Sequence, residues 1–309
     1  MTLALRGRRL SSRRRGELLP WLLLIPAAVV VLALTGWPLV QLLIMSLQEF
    51  GRAQIFGAAP EWIAFDNYAE VLTDPVFWTV LGRSILFALV NVAATMALGI
   101  LIALLMTRLN RGFKALVSAG LLLAWAMPPI TATVVWGWLF NTDFGVINYV
   151  LSHGLGLTQF QGHSWLINPL SFFLVATIII TWQSVPFVAF TVFAGLTQVP
   201  TEVLEAAQLD GSTRFQRFRF ITFPYLRPVL LVLLILEIIW DMRVFPQIKA
   251  LQAIGGIAAD TNTIGPYIYS VSVAGGNLGI GGAIAVILVV VMLALSAYYI
   301  RITLRQDEA

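Results

Sequence analysis

Apolar runs long enough to cross a lipid bilayer recur along this chain of 309 residues, and they constrain its fold more than any other feature. A bilayer core is spanned by about 20 residues of helix, since backbone polar groups there must be satisfied within the segment itself. Charged residues make up only 11% of the sequence, against about 25% in a soluble domain. The sequence therefore predicts an all-α, polytopic membrane protein without a separate soluble domain.

We predict six spans, at about residues 18–47, 76–107, a third ending near 140, then 169–197, 228–249 and 280–301. They form one transmembrane domain, residues 18–305, between a basic N-terminal segment, 1–17, and a short tail, 306–309. With the N-terminus inside, the cytoplasmic segments hold six, three, four and two arginines or lysines, fifteen in all of the 19 in the chain. The positive-inside rule then places both termini in the cytoplasm.

The longest polar segment of the C-terminal half, residues 200–228, reads PTEVLEAAQLDGSTRFQRFRFITFPYLRP. Its local chemistry predicts two short helices with a bend. Thr201 is placed to cap the first helix, whose first turn would hold Glu202 and Glu205, because the helix dipole favours negative charge there. Gly211 is placed to end it, since glycine tolerates the left-handed backbone of a helix stop.

The second short helix would be capped by Ser212 or Thr213, and Pro224 and Pro228 would bar its simple continuation into the next span. On this local chemistry alone, two interpretations stay open. The segment is an ordinary cytoplasmic loop, or it is a low-relief surface that a partner protein approaches closely.

The spacing of this segment resembles the cytoplasmic EAA loop of bacterial ABC importer permeases. The pattern is Glu205-Ala206-Ala207, Gly211, Ile221 and Pro224, with Phe223 where the family often has leucine. The resemblance implies a coupling helix, within residues 200–225, that docks into a groove on a separate ATPase subunit. The residues to which it assigns this role are Glu202, Glu205, Ala206, Ala207, Asp210 and Gly211.

Three further segments look like the external parts of sugar permeases of the maltose-transporter type. They are Phe65-Asp66-Asn67-Tyr68 with Asp74-Pro75, Trp138-Leu139-Phe140 with Gly145 and Ile147-Asn148, and Gly255-Gly256 with Tyr267-Ile268-Tyr269. The resemblance covers about residues 18–305 and implies a type I ABC importer permease fold. It implies import of a carbohydrate, and within the family the chain looks most like the trehalose importers of mycobacteria and their relatives.

Catalytic and metal chemistry find little support in the sequence. No G-x-x-x-x-G-K-[ST] motif occurs, so we expect no nucleotide site in this chain and place ATP and magnesium on partner subunits. There is no cysteine, and His153 and His163, the only histidines, lie in one polar loop. We expect no enzyme activity, no bound cofactor or metal, and no nucleic-acid partner, because the basic residues lie beside membrane spans.

Polar side chains inside the predicted spans are the candidates for a substrate pathway. They are Arg83, Asn91, Trp182, Gln183, Glu237, Trp240 and Asp241. Ionisable groups at membrane depth are costly and usually face a cavity or a partner. Amides offer both donors and acceptors to a polyol, and tryptophan offers an apolar face to sugar C–H groups.

Structural alternatives stay open for these residues. Arg83 could serve the substrate or extend its side chain to the outer interface. It could also form a buried ion pair with Asp241, since both are expected at similar depth. Asn91 and Gln183 could simply join helices by hydrogen bonds, as polar groups in membrane bundles commonly do.

The resemblance implies a permease in the bacterial plasma (inner) membrane. The expected partners are a second permease subunit in a heterodimer, two ATPase subunits, an external substrate-binding lipoprotein and a carbohydrate. The mechanism would be alternating access driven by ATP hydrolysis. The alternatives are an ABC permease for a non-sugar solute and an ion-coupled secondary transporter, which would leave the EAA loop unexplained.

The topology yields a first prediction. A reporter that is active only in the cytoplasm should work when fused after Arg219 and fail when fused after Asp143, because the two sites lie on opposite sides of one predicted span. The reverse pattern would place residues 200–225 outside the cell and contradict the coupling role.

Overall fold

Helices make up most of the described part of the chain, residues 22–307 of a computed structural model in which the side chains of residues 299 and 302–307 are not described. The predicted segment 1–17 and the end of the predicted tail lie outside these residues. The only strands described are β1 (Gln48–Glu49) and β2 (Glu61–Trp62), one antiparallel pair in which Gln48 faces Trp62.

The helices, in chain order, are α1 (Leu22–Ser46), α2 (Arg52–Ile55), α3 (Asp66–Thr73), α4 (Pro75–Arg108), α5 (Arg111–Ala126), α6 (Pro129–Leu139), α7 (Val146–Tyr149), α8 (Pro169–Leu196), α9 (Thr201–Leu209), α10 (Arg214–Arg217), α11 (Phe223–Met242), α12 (Pro246–Ala253), α13 (Ala258–Thr261), α14 (Ile264–Tyr269) and α15 (Leu278–Asp307). The predicted all-α character is confirmed by this order.

Four of these helices, α1, α4, α8 and α15, are long and apolar enough to cross a membrane, and α5 with α6 would make a fifth as a bent pair. The predicted count of six, which adds α11, therefore stays a prediction. The third predicted span is not one straight helix, because α5 and α6 meet at 105°. Pro128 and Pro129 cause the break: they lack N–H donors and push Met127 into the extended backbone found there.

Two other prolines are accommodated inside helices by π-helical turns. The Trp37 N–H donates to the Leu32 carbonyl just before Pro38, and the Phe223 N–H donates to the Phe218 carbonyl just before Pro224. In each turn, the N–H before the proline donates to the carbonyl five residues earlier instead of four, and the proline that follows has no N–H to donate. The prediction that Pro224 and Pro228 bar continuation is therefore wrong, because the helix runs unbroken from α10 through α11.

The chain divides into two compact units. The first contains residues 22–71 and Val271–Ile287. Within it, the Asn67 side chain donates to the carbonyls of Ser46 and Gln48 at 3.0 and 2.9 Å. These bonds fix the chain where it leaves the C-terminal end of α1. The Tyr68 hydroxyl lies 2.7 Å from the Ser46 hydroxyl.

The second unit contains residues 72–270 and 288–307, and its most extensive helix contact is between α4 and α8. Two buried apolar clusters form its core. One includes Phe87, Phe172, Ile179, Ile248 and Leu251, and the other includes Ala103, Val188, Val192, Leu226 and Leu233. Gly99 of α4 permits the close approach of α4 to α8, because a Cβ atom at position 99 would lie only 2.7 Å from the Cβ of Val188 in α8.

The α4–α8 contact yields a second prediction. Gly99→Leu should lower the free energy of unfolding by about 1–3 kcal/mol, because overpacking forces side chains and backbone to shift. Gly82→Leu is the matched control on the same helix, since no heavy atom lies within 4 Å of its Cβ position. Thermal denaturation of the purified protein measures both, and equal melting temperatures would contradict the close packing.

Candidate functional site

The predicted coupling segment forms helix α9, and none of its residues is buried. Leu209 is 89% exposed and Val203 is 39% exposed. Glu202 lies in the first turn, as predicted. An isolated nine-residue helix is marginal in water, so an exposed one with apolar side chains is a surface suited to a partner.

The end of α9 has the geometry that the sequence predicts. Gly211 has a φ of 79°. Its N–H donates to the Gln208 carbonyl at 3.1 Å, and the Ser212 N–H donates to the Ala207 carbonyl at 3.0 Å. These two bonds form a Schellman motif, which fixes the turn after the helix.

The two predicted caps have different outcomes. Thr213 caps α10, since its hydroxyl accepts from the Gln216 N–H at 3.3 Å while the Gln216 side chain accepts from the Thr213 N–H. Thr201 does not cap α9, because Pro200 occupies the N-cap position and the hydroxyl of Thr201 lies inside the first turn. A proline has the fixed φ that suits the entry to a helix, so the helix begins one residue earlier than predicted.

A layer of polar side chains lies between the two apolar clusters of the second unit. On α4, Asn91 and Thr95 follow Phe87 of the first cluster and precede Ala103 of the second. On α11, Glu237 and Asp241 follow Leu233 at intervals of one helical turn. All four of these polar residues are buried.

Several polar atoms of this layer have no hydrogen-bond partner within the described residues. They are both amide atoms of Asn91, the hydroxyl of Thr95, both carboxyl oxygens of Glu237, and Oδ2 of Asp241. An unsatisfied buried polar group costs about 1–3 kcal/mol. Such a concentration of unused donors and acceptors is typical of a functional site rather than of a packing layer.

Three of the predicted pathway residues, Gln183, Trp240 and Asp241, line one cavity of about 330 Å³. Trp125, Ser184, Phe187, Arg243 and Gln247 also line it. The Trp240 ring packs against Phe187 with centroids 5.1 Å apart. The cavity thus combines a carboxyl group, amides and aromatic rings, which is the mixture expected of a site for a hydroxyl-rich molecule.

Gln247, which the sequence analysis missed, belongs to a chain of hydrogen bonds in this cavity. Its Nε2 donates to Gln183 Oε1 at 3.1 Å, and Gln183 Nε2 donates to the Met127 carbonyl at 3.1 Å. Pro246, the first residue of α12, is the signal that could have found it, because a proline inside the predicted span 228–249 indicates a helix break.

Arg83 makes backbone contacts that the sequence did not predict, and its place in the substrate pathway stays a prediction. Its guanidinium donates to the carbonyls of Asn262 and Ala259, at 3.0 and 3.4 Å. No hydrogen bond or ion pair joins it to Asp241 within residues 22–307. The ion pair with Asp241 is therefore not formed. Arg83 instead donates to backbone carbonyls at the end of α13, which the sequence does not reveal as a partner.

Trp182 lies apart from the polar cavity. It lines an apolar groove of about 580 Å³ with residues of α4 and α5, and its ring meets that of Trp136 edge-on at 5.8 Å. This environment suits packing or lipid contact better than a sugar. The described residues contain no cluster of three side chains that could hold a metal ion.

A family model of the binding-protein-dependent transport system inner membrane component matches residues 95–305. This chain belongs to that family. The permease is 44% identical to the diacetylchitobiose uptake system permease protein DasB of Streptomyces coelicolor, over 96% of this chain and 90% of DasB. It is 32% identical to the trehalose/maltose transport system permease protein MalF of Thermococcus litoralis, over 92% of this chain and 93% of MalF.

The fold of the permease is that of a solved bacterial alginate ABC transporter in complex with an alginate pentasaccharide-bound periplasmic protein. The TM-score is 0.79 at 22% identity, over 94% of this chain and 96% of that one. The predicted type I ABC importer permease fold and the resemblance to sugar permeases are thereby confirmed.

The cavity yields a third prediction. Asp241→Asn should raise the KM for uptake about 10- to 100-fold while the complex still assembles, because a buried polar group left without its hydrogen-bond partner costs about 1–3 kcal/mol. Asp143→Asn, in an exposed loop that is predicted to be external, is the control. Loss of the Asp241 variant from the membrane would indicate a structural residue instead, and unchanged uptake would remove Asp241 from the pathway.

Proposed function

We propose that this permease is the sugar-translocating subunit of an ABC importer, and that it moves a disaccharide-sized carbohydrate inward by alternating access. It works in the plasma (inner) membrane of a bacterium with six spans and both termini in the cytoplasm. The exposed α9, which carries the EAA pattern and buries no residue, is the observation that carries this proposal.

The energy comes from partner subunits in this proposal. The chain has no phosphate-binding loop motif, so ATP and magnesium are bound by two ATPase subunits. Glu202, Glu205, Ala206, Ala207, Asp210 and Gly211 meet an ATPase groove, and closure of the ATPases moves α9. Support comes from the family, whose members are inner membrane components of transport systems that depend on a binding protein.

The carbohydrate passes the polar layer in this proposal. Asp241, Gln183, Trp240 and Gln247 contact it in the cavity of about 330 Å³. Asn91 and Glu237 serve it deeper in the bundle, where their side-chain polar atoms have no partner within the described residues. Arg83 and Trp182 support the walls, because the guanidinium holds α13 and the indole lies in an apolar groove.

Two disaccharides are the first substrates to test. Trehalose is the substrate that the sequence suggests, and diacetylchitobiose is named for the relative at 44% identity. The other proposed partners are a second, different permease subunit and an external binding lipoprotein. Unlike an ion-coupled transporter, this complex would take up sugar only with ATP hydrolysis.

The coupling role yields a fourth prediction. Gly211→Val should strain the turn by about 1–2 kcal/mol or more, because valine disfavours the left-handed backbone at φ 79°. Ala207→Trp should place a large ring where two subunits meet closely. Each variant should remain inserted while sugar-stimulated ATP hydrolysis and uptake fall together, with weakened ATPase co-purification.

Gly156→Val is the matched control, since Gly156 also has positive φ, 71°, with nothing within 4 Å of its Cβ position, but lies in the polar loop after α7. It should strain the backbone similarly and leave coupling intact. Wild-type co-purification and ATPase activity in both coupling variants would contradict the proposed function. Equal losses in the control would attribute the effect to folding.

A further inference from the structure

A groove of about 670 Å³ opens beside α9, where α4 and α8 end. We call it the basic groove, and its charged lining consists of Arg108, Arg214, Arg217 and Glu205. The three arginines come from the last turn of α4 and from α10. Helices distant in sequence thus bring three cations to one place.

None of the three guanidinium groups makes a hydrogen bond or ion pair within the described residues 22–307. Glu205 is the single carboxylate in the lining, so the groove carries two unbalanced positive charges. Like charges gathered without a counter-ion repel one another. The arrangement therefore favours binding of an anion.

The remaining lining includes a strip of apolar side chains, Leu104, Leu196, Val199, Leu204 and Phe218. Leu104 and Leu196 belong to helices long enough to span a membrane and lie near the ends of those helices. The groove therefore combines cations with an apolar wall at the level where a bilayer ends. A soluble anion such as phosphate needs only the cations, whereas a phospholipid uses both.

We propose that the basic groove binds an anionic phospholipid, such as phosphatidylglycerol, with its phosphate between Arg214 and Arg217 and its acyl chains along the apolar strip. Basic pockets at helix ends near the membrane surface recognise anionic headgroups in this way. Because Glu205 of α9 lines the same groove, the bound lipid would also support the position of the coupling segment. This binding requires only that the protein lies in a membrane, so it can be tested apart from the proposed transport.

The experiment compares lipid retention by the purified complex. The complex is exchanged into nanodiscs of phosphatidylcholine with about one third phosphatidylglycerol, and bound lipids are counted by native mass spectrometry. Wild type should retain phosphatidylglycerol preferentially. The Arg214→Gln/Arg217→Gln variant should lose about ten-fold or more of that preference, since each basic residue near a membrane surface adds several-fold in affinity.

Arg219→Gln is the matched control. It removes one positive charge from the same segment, as each single groove variant does, but Arg219 lies over the rings of Phe220 and Phe223 and does not line the groove. Preference should be unchanged in this variant. If the double variant fails to assemble, the two single variants are measured in its place.

Three outcomes would overturn the proposal. Equal retention by the double variant and the control would show that the groove is not the lipid site. Displacement of the lipid by millimolar inorganic phosphate would indicate a site for a soluble anion. Loss of the ATPase subunits with lipid retention unchanged would assign these arginines to the protein interface.

Discussion

Backbone carbonyls freed where helices break must find donors, and the second unit depends on how its side chains supply them. The Gln183 side chain donates to the Met127 carbonyl at the Pro128–Pro129 break. The Arg83 side chain donates to the carbonyls of Ala259 and Asn262 at the end of α13. In an apolar medium each unpaired carbonyl would cost several kcal/mol. These bonds therefore help to hold the broken helices in place, and the one between Gln183 and Met127 joins two residues that line the cavity of about 330 Å³.

In the polar layer, by contrast, buried polar groups lack hydrogen-bond partners within the described residues. Asn91 and Glu237 are fully buried, yet their side-chain polar atoms have no partner within the described residues. A buried polar group without a partner costs about 1–3 kcal/mol, and burial of the two apolar clusters on either side offsets costs of this kind. In the proposed importer, these donors and acceptors would contact the hydroxyl groups of a carbohydrate.

Local chemistry made some elements predictable, and tertiary contacts decided the others. Gly211 and Thr213 were predictable because a helix stop and a helix cap depend on neighbours within five residues. The continuation through Pro224 was not predicted, because a π-helical turn accommodates a proline that would otherwise end the helix. The hydrogen bonds of Arg83 and Gln247 could not be predicted from the sequence either, because their partners lie 179 and 64 residues away along the chain. The residues of the candidate cavity were found in part because carboxylates and amides are rare at membrane depth.

The unbroken helix from α10 through α11 connects the two proposed sites. It begins one residue after the Thr213 cap and reaches Asp241 in its last turn. At 1.5 Å per residue, that is a helical rod of about 40 Å. Its continuous helical structure joins the two ends, and the π-helical turn before Pro224 and the proline at 228 are the points where such a rod bends. In the proposed importer, movement of α9 would act on the N-terminus of this rod through the fixed turn at Gly211. The same rod carries Glu237 and Asp241, so force applied at the coupling segment would arrive directly at the carboxyl groups of the pathway.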